Sequence, residues 1–348
     1  MDETKRDSLF FQVDWSAFNY VAGIKFAVGM LAVAILTRFT EFTFIVISIA
    51  SLMAWLTDVP GTIRNRVLGM VGFALAAIGT LWLASIVHNN LIWFTLAMFV
   101  VTFIFTLPMA LSLRGYMVGW VTILWFFSIA PMTTTGDIAS MTWDVLIGVG
   151  IVVAITLIWP SGIGPYGHAQ APDSPDGGGI DDRAFVLVYA LTVALVMAFA
   201  IFVGLQLFTV GAVWIVNGAF MVLGPSTRQS WIHAVERATV VIVGVLAGLL
   251  LIRLIDSVVI LTVIWAVSAF LAIAALNAGY PVAIGSYTAG MTMTWAVQGL
   301  DVGSLNASER IYAEALAIGL AIAATVFLNW WSSRRNVNPF AETEASAN

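Results

Sequence analysis

The 348-residue sequence contains no cysteine, and only 9% of its residues are charged. Without cysteine the chain can form no disulfide and has no thiolate nucleophile or cysteine metal site. Soluble domains carry about 25% charged residues. A chain that is 61% hydrophobic could not cover a soluble surface with so few charges. The composition therefore predicts an all-α, polytopic membrane helical bundle.

The sequence also lacks the local patterns that enzymes use. Its three histidines, His88, His168 and His233, fall in no H-E-x-x-H or H-x-x-x-H pattern that could bind a metal. There is no G-x-S-x-G nucleophile turn and no Walker-type phosphate loop. We therefore predict a protein that is not an enzyme and uses no cofactor, no metal and no nucleic acid partner.

Long apolar runs give the expected number of membrane crossings. A membrane-spanning helix needs about 20 mostly apolar residues, and the sequence offers twelve candidates. The runs at 42–57 and 208–224 are short, so ten or eleven crossings remain as alternatives if a short hairpin does not cross. The candidates are 17–37, 42–57, 66–88, 91–113, 115–133, 142–160, 184–204, 208–224, 234–254, 257–276, 279–297 and 311–332.

The basic residues between these runs indicate an orientation. With the N-terminus inside, ten Lys and Arg residues fall on the inner side, and only Arg38, Arg253 and Arg310 fall on the outer side. Cytoplasmic loops are enriched in Lys and Arg. The split predicts an even number of crossings with both termini in the cytoplasm. The inner residues are Lys5, Arg6, Arg64, Arg66, Arg114, Arg183, Arg228, Arg237, Arg334 and Arg335.

The two halves of the chain resemble each other. A proline turn, basic residues and a glycine-bearing helix occur at 54–72 and again at 218–244, and other matched segments keep similar offsets. Six-helix repeats of this kind have the same orientation, and transporters commonly place their site at the repeat interface near mid-membrane. We predict a first membrane repeat at 1–160, a cytosolic linker at 161–183, a second membrane repeat at 184–332 and a cytosolic tail at 333–348.

The repeated turn and helix resemble the fusaric acid resistance and aromatic acid exporter family. In that family a proline turn precedes an arginine that opens a helix in an R-x-x-G-T-x-x-G-like pattern. Arg66 and Gly69 match the arginine and first glycine, whereas Phe73 replaces the last glycine. Arg237 and Gly244 match the arginine and last glycine of the second copy, which lacks the middle glycine.

The last apolar helix is similar to the family's closing helix through Arg310 and Gly319. The resemblance implies export of aromatic or other organic acids across a bacterial inner membrane, often driven by protons and sometimes with a periplasmic adaptor subunit. Typical members carry large cytosolic domains, so this chain looks like a membrane-only version. A passive anion channel and a non-transporting subunit of an envelope assembly stay open as alternatives. The expected partners are an organic anion, the lipid bilayer and, in an oligomer, further copies of the chain.

Several residues are candidates for binding an organic anion. Lys25 is a lone charge in the first apolar run, and a charge at mid-membrane costs about 3 kcal/mol on insertion scales. It is predicted either to dock the anion or to snorkel to the inner surface. Arg66 and Arg237 add positive charge on the inner side. Hydroxyl and aromatic groups on the fifth and eleventh spans either line the path or pack helices: Trp120, Thr122, Ser286, Tyr287 and Thr288.

Five further residues are candidates for proton coupling. Asp144 in the sixth span and Glu314 in the last span are carboxylates that could exchange protons. The alternative interpretations are a helix-start cap for Asp144 and a local ion pair between Glu314 and Arg310, four residues apart. His233 and Glu236 open the ninth span and form either an inner-gate proton relay or an interfacial network.

Overall fold

The computed structural model describes twelve α-helices. In the part of the chain that it describes there is no strand, and two short 3-10 helices lie at Trp15–Ala17 and Pro108–Ala110. The predicted linker before Arg183 and the predicted tail beyond residue 334 lie outside the described residues. Those residues are 13–40, 42–59, 61–110, 113–129, 133, 137–160, 183–208, 211–223, 227–255, 257–276, 278–296 and 300–334.

The helices follow the apolar runs of the sequence. Their bounds are α1 Tyr20–Arg38, α2 Phe44–Leu56, α3 Ile63–Val87, α4 Leu91–Thr106, α5 Leu113–Ile129, α6 Ile138–Ile158, α7 Arg183–Leu207, α8 Ala212–Val222, α9 Thr227–Leu254, α10 Val258–Ala274, α11 Tyr280–Ala296 and α12 Leu300–Arg334.

Six of the described helices are long and apolar enough to cross a membrane: α1, α3, α6, α7, α9 and α12. The two short candidate runs form α2, with 13 residues, and α8, with 11 residues. At about 1.5 Å per residue neither spans a hydrocarbon core of about 30 Å. A multi-pass helical membrane protein is supported, and the number of full crossings stays a prediction.

Several helices extend beyond the predicted spans; α9, for example, begins at Thr227 and not at residue 234. The sixth span was expected to begin at residue 142, but α6 begins at Ile138. The last span was expected over 311–332, but α12 runs from Leu300 to Arg334. A span predicted from hydropathy ends where polar residues begin. The helix itself can continue, because its backbone hydrogen bonds do not depend on the polarity of the side chains. Polar residues at the start of α12 therefore belong to the same helix as the apolar run.

The described helices group into two compact units. The first unit comprises Met1–Val71, Trp143–Ala169 and Ile232–Tyr312, and the second comprises Gly72–Thr142, Gln170–Trp231 and Ala313–Asn348. Each unit therefore draws segments from both halves of the chain. The predicted repeats are continuous stretches of the sequence, and their boundaries stay a prediction.

The helix pairs inside the two units correspond to each other. In the first unit α1 packs on α2 and α10, and α10 packs on α11. In the second unit α7 packs on α8 and α4, and α4 packs on α5. If each helix is treated as the equivalent of the helix six places later in chain order, so that α1 corresponds to α7 and α4 to α10, the same three pairs occur in each unit.

Two glycines allow a close approach of α9 and α11 in the first unit. A Cβ atom at Gly244 would lie 2.8 Å from the carbonyl oxygen of Gly285 and 2.8 Å from Cβ of Thr288. A Cβ atom at Gly248 would lie 2.8 Å from Cβ of Thr292. Arg237 is seven residues before Gly244, which puts both on one helical face. The glycines therefore turn the Arg237 face of α9 towards α11.

We expect Gly244→Val to destabilise the protein by about 1–3 kcal/mol, the usual cost of overpacking. The matched control is Gly150→Val on α6, because a Cβ there meets nothing within 4 Å. Both variants carry the same helix-propensity change. Thermal unfolding of the detergent-purified protein should show the lower Tm for Gly244→Val. Equal melting temperatures would contradict the close α9–α11 contact.

Candidate functional site

A buried ion pair holds the start of α3 to the end of α2. Asp58 is fully buried and Arg66 is 3% exposed. Nε and Nη2 of Arg66 donate to Oδ1 and Oδ2 of Asp58 at 2.6 and 2.7 Å, a bidentate geometry. Gly61, with φ of 151°, supplies the backbone conformation of the intervening turn. The carboxylate thus compensates the guanidinium charge directly.

Arg66 and Lys25 also meet at the C-terminus of α6. Nη1 of Arg66 donates to the carbonyl oxygen of Pro160 at 2.9 Å. Nζ of Lys25 donates to the carbonyl oxygen of Trp159 and lies 5.3 Å from the centroid of its ring. Because α6 ends at Ile158, these carbonyls are at the negative end of the helix dipole, where cations are favoured. We call Lys25, Asp58 and Arg66 the α6 clamp.

The α6 clamp bears on the two interpretations of Lys25. The first helix begins at Tyr20 and not at residue 17, so Lys25 lies in its second turn. The side chain is fully buried, and its ammonium group reaches the end of another helix. This contact satisfies the charge within the protein. A direct role of Lys25 or Arg66 in binding an anion stays a prediction.

We expect Asp58→Asn to destabilise the protein by about 3–5 kcal/mol, because it leaves the buried Arg66 without its carboxylate. The matched control is Asp137→Asn, an exposed position whose Oδ1 accepts the N–H of Ala139, a contact that asparagine can keep. Unfolding of the purified variants by heat or denaturant provides the measurement. If the two variants unfold alike, the clamp does not stabilise the fold.

Asp144 caps a neighbouring helix and not its own. The helix-start interpretation is wrong, because α6 already begins at Ile138. The carboxylate is fully buried, and the backbone N–H of Thr43 donates weakly to its two oxygens at 3.4 and 3.3 Å. Thr43 is the N-cap of α2 and has no cap hydrogen bond from its own side chain. A carboxylate is favoured at that helix end, and proton coupling through Asp144 stays a prediction.

A second group of basic residues joins α9, α11 and α12 in the first unit. Arg237 is 2% exposed and Arg310 is 1% exposed. Nη2 of Arg310 donates to Oγ1 of the buried Thr288 at 3.2 Å. Tyr287 directly precedes Thr288 on α11. We call Arg237, Tyr287, Thr288 and Arg310 the arginine cluster.

A cavity of about 70 Å³ lies beside Tyr287 among α1, α2, α10 and α11. Its walls are apolar apart from hydroxyl groups, so it can take an uncharged group but offers a charge no partner. Ser286 and Tyr287, both predicted to line the path, are among its lining residues. The lining comprises Phe26, Met30, Ile45, Ser48, Ile49, Leu52, Trp265, Ala269, Ala272, Ser286, Tyr287, Gly290 and Met291.

Two of the residues predicted to line the path belong to the second unit. Trp120 and Thr122 are on α5 in the second unit, whereas Ser286, Tyr287 and Thr288 belong to the first unit. Neither unit therefore holds all five residues that were predicted to line one path. Oγ1 of Thr122 donates to the carbonyl oxygen of Val118 in its own helix at 2.7 Å, a common helical contact.

Glu236 and Glu314, two further candidates for proton coupling, belong to different units. Glu314 is 3% exposed and belongs to the second unit, where its Oε1 would lie 3.0 Å from a Cβ at Gly218 of α8. Glu236 is half-buried on α9, and the side chain of His233 lies outside the described residues. In the described part of the chain no group of three or more His, Asp or Glu side chains could hold a metal ion. Coupling roles for these residues stay predictions.

Two contributors to these sites were not predicted from the sequence. Asp58 lies eight residues before Arg66, across a proline-glycine turn, and an acidic residue at the end of an apolar run was the available signal. Ser48 lies inside an apolar run and lines the cavity. A single serine in such a run is too common to single out.

The comparison with known families covers the second half of the chain. A family model described as "Fusaric acid resistance protein-like" matches residues 193–324. This match confirms the family resemblance that the turn and helix motifs indicated. The matched range contains the whole arginine cluster, whereas the α6 clamp lies outside it. No curated protein and no solved structure matches the chain.

Proposed function

We propose that this chain is a membrane transport protein for small organic anions, and that the arginine cluster binds the anion. The observation that carries the proposal is the burial of Arg237 and Arg310 in one unit, where Arg310 donates to the hydroxyl of Thr288. The family match over residues 193–324 supports transport as the class of activity. The expected substrates are aromatic or other organic acids.

The chemistry of the cluster suits a carboxylate. A guanidinium group presents paired N–H donors that fit the two oxygens of a carboxylate. Thr288 and Tyr287 add hydroxyl groups that can donate a further hydrogen bond. Two positive groups in a low-dielectric surrounding attract an anion far more strongly than they would in water. The same arrangement disfavours a cation at this place.

We further propose secondary export across a bacterial inner membrane, with both termini in the cytoplasm. The Lys and Arg distribution supports that orientation. Coupling protons would move through Asp144 and Glu314, assisted by His233 and Glu236. Asp144 and Glu314 lie at corresponding positions, 170 residues apart, in the predicted repeats.

The proposed architecture is a pair of six-helix repeats that exchange helices. Each compact unit would take the first, second and sixth helices of one repeat and the third, fourth and fifth helices of the other, apart from helix ends. The corresponding helix pairs of the two units support this arrangement. This arrangement would explain why the two compact units do not coincide with the two halves of the sequence.

Transport by purified protein in proteoliposomes tests the proposed anion site. Arg310→Gln and Arg237→Gln should each reduce organic anion flux at least about tenfold, since hydrogen bonds to charged groups contribute about 1.5–3 kcal/mol. The matched control is Arg253→Gln, an exposed arginine near the end of α9, which should keep its flux. Undiminished flux in both cluster variants would contradict the anion site.

The same liposomes separate the classes of transport. Flux that follows an imposed pH gradient supports proton-coupled secondary transport. Unitary currents that are independent of that gradient support a passive anion channel. Neither signal, together with a partner that co-purifies at fixed stoichiometry, supports a subunit of an envelope assembly.

A further inference from the structure

We propose that the cavity beside Tyr287 is the tail-binding half of the anion site, and that its ligand is a short-chain monocarboxylate bearing a hydroxyl or oxo group. The carboxylate would bind the arginine cluster, and the cavity would limit the size of the rest of the molecule. This inference rests on the proposed function in one respect, namely that the arginine cluster binds the anion.

Tyr287 connects the charged half of the site with the apolar half. It lines the cavity, and it directly precedes Thr288 on α11. The next residue, Thr288, accepts the hydrogen bond from Arg310. A ligand whose carboxylate meets Arg310 therefore has an apolar space available next to Tyr287 for its other end.

The volume of the cavity sets the size of the tail. An apolar cavity of about 150 Å³ is known to accommodate a benzene ring, and a water molecule takes about 30 Å³ in the liquid. The cavity here, at about 70 Å³, has less than half the space that held the ring. It accommodates about two or three carbon-sized groups. An aromatic ring is larger than this space.

The walls exclude a second charge from the tail. Phe26, Trp265 and Tyr287 present aromatic surface, and Met30 and Met291 present thioether side chains. A dicarboxylate would leave its second charge in this apolar space without a partner, at a high cost. The lining therefore selects a ligand with a single carboxylate.

Ser48 supplies a polar contact inside the cavity. It is 7% exposed, and its Oγ has no hydrogen-bond partner among the described residues. Helical hydroxyl groups usually donate to the carbonyl one turn earlier, as Thr80 and Thr292 do here. A buried hydroxyl without such a bond costs free energy unless another group meets it. A hydroxyl or oxo group on the ligand tail would satisfy Ser48.

Ligand-dependent thermal stabilisation of the purified full-length protein tests the inference. Sodium salts of 3-hydroxybutyrate, butyrate and benzoate are compared at equal ionic strength. We expect apparent affinity to fall in that order, with benzoate about tenfold weaker than butyrate. Benzoate that binds as tightly as butyrate would overturn the size limit.

Two variants of cavity-lining residues test whether the cavity determines which carboxylate binds. Met291→Ala enlarges the cavity and should raise the affinity for benzoate relative to butyrate. Ser48→Ala should remove the preference for 3-hydroxybutyrate over butyrate, which we expect to be about fivefold. An unchanged order of ligands in Met291→Ala would overturn the assignment of the cavity as the tail site. A preference that survives in Ser48→Ala would overturn the role of that hydroxyl.

Matched controls separate these effects from general destabilisation. Met70→Ala removes a buried methionine of the first unit that does not line the cavity, and Ser51→Ala removes a hydroxyl that donates to the carbonyl oxygen of Gly148. Both should keep the wild-type order of ligands. Suppose that carboxylates stabilise the wild type but not Arg310→Gln, and that their order of affinity is unrelated to tail size. That result would overturn this inference and leave the proposed anion site standing. Carboxylates that never stabilise the protein overturn the proposed anion site as well.

Discussion

The burial of guanidinium charge in an apolar helical bundle is the constraint on which the structure depends. An arginine removed from water is destabilising unless its charge and its N–H groups find partners. The first unit meets this constraint in two ways. Arg66 is paired with a buried carboxylate and a helix end, whereas Arg310 contacts a hydroxyl beside a second arginine. The first arrangement is suited to stability, and the second is the proposed anion site.

The difference between the two arginine sites is visible when the two predicted repeats are aligned. When the proline turns are aligned through Pro60 and Pro225, Leu223 occupies the position that corresponds to Asp58. In the same alignment Arg66 corresponds to Trp231, and Arg237 lies six residues later, so the bidentate pair of the first half has no counterpart in the second half. In its place the second half brings Arg237 towards α11 through the close contact at Gly244. Arg66 therefore belongs to the α6 clamp, whereas Arg237 belongs to the proposed anion site.

Much of the fold could be predicted because hydropathy governs it. The apolar runs correspond to helices, including the two short ones that became α2 and α8. The start of α12 was missed because its first turns are polar and extend the helix without extending the apolar run. The two compact units could not be predicted from the proposed repeat, because each unit packs helices from both halves of the sequence together.

The sequence allowed the charged residues of the candidate site to be predicted, but not the residues that they contact. Lys25 and the arginines are conspicuous in an apolar sequence, so hydropathy singled them out. Their partners include the Asp58 carboxylate and backbone carbonyls far along the chain, such as the carbonyl of Trp159, 134 residues from Lys25. No local pattern encodes such a contact. Trp120 and Ser286 were paired by repeat alignment, and the structure assigns them to different units.

The central claim is that the α6 clamp stabilises the fold while the arginine cluster binds the anion. The most direct test is the shift in melting temperature that butyrate causes in Asp58→Asn and in Arg310→Gln. The account predicts that Asp58→Asn melts early but keeps the shift, whereas Arg310→Gln loses the shift. A shift that persists in Arg310→Gln and disappears in Asp58→Asn would contradict it.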